Sequence, residues 1–150
     1  MVRLMLLHDA AFDGDLEALR DRIERGDHVD GRDEMGWTTL TNACISGHLE
    51  CALALIDAGA AVDMVNDYGW TALMCACYFG HHECAQALID AGAAVDTVDN
   101  DGWTSLMHAS NSGHVACARA LIDAGATVDM VSNSTLHYLS FACSTALMMA

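Results

Sequence analysis

Eight histidines and seven cysteines in 150 residues could supply a metal centre, so their spacing decides whether they do. Zinc needs His, Cys or carboxylate ligands within about 2.0–2.3 Å of one point. Cys51, Cys84 and Cys117 recur at intervals of 33 residues, and so do His48, His81 and His114. If that interval is one structural unit, equivalent helices of successive units lie about 8–10 Å apart. Such a ladder cannot share a metal, and it also exceeds the ~7 Å Cα separation that a disulfide tolerates. Cysteine at these positions reads as a small buried apolar group. One local cluster remains: Cys75, Cys77, His81, His82 and Cys84, with His108 one period beyond Cys75. It keeps a Cys/His metal-binding protein as a minor alternative, while the reading adopted has no metal and no cofactor. An odd cysteine count points to reduced thiols.

Catalytic signatures are missing. No Gly-rich phosphate loop, nucleophile elbow or paired-carboxylate motif stands outside the recurring pattern, so the chain is read as a non-enzyme. Asp57, Asp90 and Asp123 recur with the pattern and sit where a helix would end, where the dipole mildly disfavours them. The charge is lopsided: 21 acidic residues face six Arg and no Lys, for a net charge of −15. From residue 33 onward Arg119 stands alone against 13 Asp and Glu. Such a body repels phosphate backbones, which excludes nucleic acid, and attracts basic partners. The apolar run Leu4-Met5-Leu6-Leu7 is shorter than a secretory core of about 7–15 residues, and nothing approaches the ~18 of a membrane span. The expectation is an intracellular protein of cytoplasm or nucleus, with no membrane contact.

The elements that hold these residues follow from self-comparison. Gly-Trp-Thr occurs at 36–38, 69–71 and 102–104, Gly-His at 47–48, 80–81 and 113–114, and Ala-Gly-Ala at 58–60, 91–93 and 124–126. Aligning 33–65 with 66–98 gives 22 identities in 33 positions. Each unit predicts two short helices. Thr38, Thr71 and Thr104 suit an N-cap, because a hydroxyl accepts the unpaired first-turn N–H groups. Gly47 ends the first helix. The second helix runs from about 49 to 58 with Cys51, Ala52, Leu55 and Ile56 on one stripe, and Gly59 ends it. Neither helix is long enough to stand alone, so each buries its stripe against the next unit.

The chain resembles the ankyrin repeat family. That family's pattern of Gly-x-Thr-Pro-Leu-His, Ala-Ala, Gly-His and Gly-Ala-x-Val is met by Gly69-Trp70-Thr71-Ala72-Leu73-Met74, Ala76-Cys77, Gly80-His81 and Gly92-Ala93-Ala94-Val95. The resemblance implies an all-α solenoid of helix–turn–helix units joined by β-turns. Two departures stand out. Thr39, Ala72 and Ser105 replace the Pro, and Thr41, Met74 and Met107 replace the His. Without Pro to pre-set the first turn, softer helix starts are expected.

One array then fills the chain: an N-terminal cap at 1–32, units at 33–65, 66–98 and 99–131, and a degenerate or truncated unit at 132–150. Arg22 occupies the position of core Leu55, Leu88 and Leu121, with Glu17, Asp21, Glu24 and Arg25 around it, which gives the cap a wet face. The C-terminal end replaces Gly-Trp-Thr with Thr135, Leu136 and His137 and has no charged side chain after Asp129. That end is a candidate for docking or self-association.

Positions constant between units read as scaffold; positions that differ can carry specificity. Of the 11 differences between 33–65 and 66–98, eight fall in the turn tip and first helix. The resemblance implies that tips and first helices line a concave groove that contacts partners. Carried onto this chain, the candidate partner-binding residues are Glu34, Met35, Ile45 and Ser46, then Asp67, Tyr68, Tyr78 and Phe79, then Asn100, Asp101, Asn111 and Ser112. The middle set concentrates aromatics, which suit the centre of a contact. Aromatics beside Asp67 and Asp101 suit Lys or Arg, through cation–π and ionic contact. The expected partner is therefore another protein, met through a basic or mixed apolar-basic segment. Alternatively, Tyr78 and Phe79 pack on each other. Trp37, Trp70 and Trp103 are identical in all units and are read as scaffold.

Overall fold

The computed structural model describes residues 6–130. The expected unit at 132–150, with its uncharged end, lies outside the described residues. Among those described, eight helices follow in pairs: α1 (Leu7–Asp13) and α2 (Leu16–Glu24), α3 (Thr39–Ser46) and α4 (Leu49–Asp57), α5 (Ala72–Phe79) and α6 (His82–Asp90), α7 (Ser105–Asn111) and α8 (Val115–Asp123). No strand is present among the described residues beyond the single bridges Arg32–Thr38 and Val98–Thr104. Those bridges close the turn tips that project between one pair and the next.

The helices begin where side chains can receive their free N–H groups. Thr38, Thr71 and Thr104 each accept the amide of the residue three further on, at 3.1, 3.2 and 3.3 Å. The caps form in every unit despite the missing Pro. At the other end Gly47 and Gly80 take left-handed φ values of 74° and 81°, turning the chain directly into the second helix. The α7 helix ends one residue sooner, on a right-handed Ser112.

The core is one continuous row. Leu55, Leu88 and Leu121 are buried in α4, α6 and α8, with Cys51, Cys84 and Cys117 beside them. The cap departs from this register as expected: Arg22 is only partly buried and pairs with Asp27 at 2.6 Å. Leu19, where the later units hold Ala52, Ala85 and Ala118, supplies the apolar volume instead. Glu17, Asp21, Glu24 and Arg25 are exposed.

Ala43, Ala76 and Ala109 are fully buried in α3, α5 and α7. Successive first helices pack against each other more extensively than successive second helices do. Loop hydrogen bonds hold the units in step: Asp30, Asp63 and Asp96 accept the amides of Ala61, Ala94 and Thr127 at 2.8, 2.9 and 2.8 Å. The recurring Asp at 30, 63 and 96 is explained by those bonds.

Candidate partner-binding surface

Each tip is built on one side chain. Asp33, Asn66 and Asp99 each accept two backbone amides through Oδ1, including those of Trp37, Trp70 and Trp103 at 2.9 Å. An Asx side chain that satisfies its own turn fixes the residues between, which are Glu34-Met35, Asp67-Tyr68 and Asn100-Asp101. The tips then bond to each other. Asp67 N–H donates to the Met35 carbonyl at 3.2 Å, and Asn100 N–H donates to that of Tyr68 at 3.1 Å. The Asn100 side-chain amide donates to the Asp67 carbonyl at 2.9 Å. Six of the candidate residues are thus brought into one bonded row.

The second group comes from the first helices. Tyr78 and Phe79 close α5, and their rings meet edge to face at 5.1 Å. Tyr78 also meets Trp70 edge to face at 5.3 Å, which ties the helix end to the tip. Packing does not hide them: Tyr68, Tyr78 and Phe79 remain 52%, 41% and 46% exposed. Tyr78 and Phe79 therefore pack on each other and still face solvent. Asp67 and Asp101 are exposed beside them, as are Glu34, Met35, Asn100 and Asn111. Ile45, Ser46 and Ser112 are half-buried at the ends of α3 and α7. None of the twelve is buried.

Residues 7–99 and 58–135 match the family model described as Ankyrin repeats (3 copies). The chain belongs to the ankyrin repeat family. Ankyrin repeats are generally protein–protein interaction modules, and the family is generally non-enzymatic. No curated protein matches the chain significantly. Among the described residues, no helix is long and apolar enough to cross a membrane.

Within this ankyrin array the candidate metal cluster does not assemble. Among the described residues no three His, Cys, Asp or Glu side chains converge on a common point. His82 is exposed and pairs with Glu83 at 3.0 Å. His81 sends Nε2 to the Ile45 carbonyl, 3.1 Å away in the preceding unit. The Gly-His histidine thus joins two units at the inter-helix turn. Burial keeps Cys75 a neutral thiol, well above its ordinary pKa.

Two contacts escaped the ladder argument, which compared only register mates. Thiols on a diagonal meet: Cys44 faces Cys84, and Cys77 faces Cys117. The neighbouring thiol and burial raise the pKa values of Cys44 and Cys77. The spacing that signals this is 40 residues, one period plus the distance from first to second helix.

The second contact is His108. It does not pair with a cysteine; its Nε2 lies 2.9 Å from Asp99 Oδ2, and the two side chains are 7% and 3% exposed. Its ring lies 4.4 Å from that of Trp70 and 5.3 Å from that of Trp103. Burial lowers the His108 pKa below the ordinary imidazole value, partly offset by the hydrogen bond and charge of Asp99 and by the charge of Asp101. A register comparison could have found it: the two positions read Asp33/Asn42, Asn66/Cys75 and Asp99/His108 in successive units.

Proposed function

We propose that this ankyrin array is a non-catalytic binding module that receives a basic or mixed apolar-basic segment of another protein on its inner face. The observation that carries the reading is the central patch. Tyr68, Tyr78 and Phe79 are exposed together beside Asp67 and Asp101, on the most aromatic part of a strongly acidic surface. Rings and carboxylates at one place favour a cation carried on an apolar stem, through cation–π attraction and ionic contact. Glu34, Met35, Ile45 and Ser46 extend the surface on one side, and Asn100, Asp101, Asn111 and Ser112 on the other. Six free thiols among the described residues suit a reducing compartment, cytoplasm or nucleus.

Affinity capture from lysate with wild-type and Tyr78→Ala/Phe79→Ala protein tests the reading. Loss of two exposed hot-spot rings should weaken capture of the partner more than tenfold, by about 2 kcal/mol or more. Undiminished capture by a folded double variant places the site elsewhere.

A further inference from the structure

We infer that His108 and Asp99 are the positioning pair of the binding patch, and that proton uptake by His108 weakens the hold on a cationic segment. This rests on the reading of the patch as a site for a basic segment.

Asp99 does two jobs with one carboxylate. Oδ1 holds the tip by accepting the amides of Asp101 and Trp103, both at 2.9 Å, and Oδ2 takes His108. The tip is thereby tied to α7. The imidazole lies at once against Trp103 of its own tip and Trp70 of the preceding tip, with Tyr78 of α5 at 6.0 Å. Two tips and a first helix thus meet on one titratable ring, directly beneath the exposed aromatics. Among the described residues the other units show no such lock. In the unit at 66–98 Cys75 stands in the histidine's place, and the buried Nδ2 of Asn66 has no partner.

The groups around the ring set the sign. Asp99 and Asp101 face it from its own tip, Tyr78 stands beside it on α5, and Asp67 lies on the preceding tip. Cys75, its counterpart on α5, is a buried neutral thiol. With His108 neutral, the negative field of Asp99 adds to that of Asp67 and Asp101 and draws a cation onto the rings. A proton on His108 spends the Asp99 charge internally and places a positive charge under the site. Linkage makes the effect reciprocal: a bound cation holds the proton off His108.

The test needs no identified partner. An imidazolium in contact with indole quenches its fluorescence far more than neutral imidazole does. Tryptophan emission, followed from about pH 7.5 to 5, should fall in the wild type with a midpoint below about 6.5. The profile should be flat in His108→Asn. Asparagine already occupies the equivalent position at Asn42, so that variant keeps a native precedent. Asp99→Asn should titrate at lower pH than the wild type while keeping its tip, as Asn66 keeps its own. The binding probe is an alternating Leu–Arg octapeptide. Its affinity for wild type should drop roughly tenfold across the midpoint and stay constant for His108→Asn. A wild-type emission profile that is flat, or that survives in His108→Asn, overturns the positioning pair whether or not peptide binds. Peptide affinity independent of pH overturns the coupling alone. A peptide that binds at no pH sinks the basic-segment reading, and the coupling with it, while the emission profiles still decide the pair.

Discussion

Gly47 shows how closely single residues are constrained here. Its φ of 74° disfavours any side chain, and a Cβ would collide with the His81 ring. Gly59 has a φ of 88° but nothing near its missing Cβ. Gly47→Ala should therefore cost more than the ~1–3 kcal/mol expected for a strained left-handed residue, and Gly59→Ala should cost no more than that. Urea titrations of the two variants measure the difference; equal losses would show that the His81 contact carries no weight. Thr71 is a second single-residue case. Its Oγ1 is the cap of α5, so Thr71→Ala should lower stability by about 1 kcal/mol in the same titration. The cap threonines and the helix-ending glycines were legible in the sequence, because each acts through its own backbone. The buried partner of His108 was not, since it depends on where a neighbouring tip folds back.

At the level of the helix, α7 carries a titratable group, His108, whose pKa is lowered in the folded chain. The unfolded chain takes a proton at His108 near pH 6.5, before the folded chain does. The contribution of neutral His108 is thus fully present above that value and is lost as pH falls through the depressed folded pKa. Stability curves above and below pH 6.5 should show wild type losing more on acidification than His108→Asn. The same loss in both would assign the effect to other groups. The second helices are governed by packing instead. Leu88 is fully buried in the centre of α6, so Leu88→Ala should cost about 2–5 kcal/mol, read from chemical denaturation. Helix periods and core stripes were readable from the sequence, apart from the cap, where Leu19 rather than Arg22 fills the buried volume.

Across the whole molecule, a net charge of −15 and exposed rings beside carboxylates should make the proposed binding sensitive to salt. Capture of a basic partner should weaken as ionic strength rises and the Debye length shortens from about 10 Å toward 3 Å. Capture that persists undiminished at high salt would assign the affinity to the rings alone. Ala43, Ala76 and Ala109 are buried in the packed first helices, and the bonded row of tips gives the array a continuous rim.

The sequence by itself determined the period, the helix pairs, the family resemblance and the positions where the units diverge. These are legible because every unit repeats the same local physics of caps, turns and apolar stripes, and self-comparison separates the constant from the variable. Only the tertiary structure decided which variable residues meet. It showed that scaffold Trp70 touches Tyr78, that thiols pair on a diagonal, and that His108 turns to Asp99 instead of Cys75. The physical reason is that such contacts form between units. Their geometry depends on the offset and curvature of the stack, which no single repeat encodes alone.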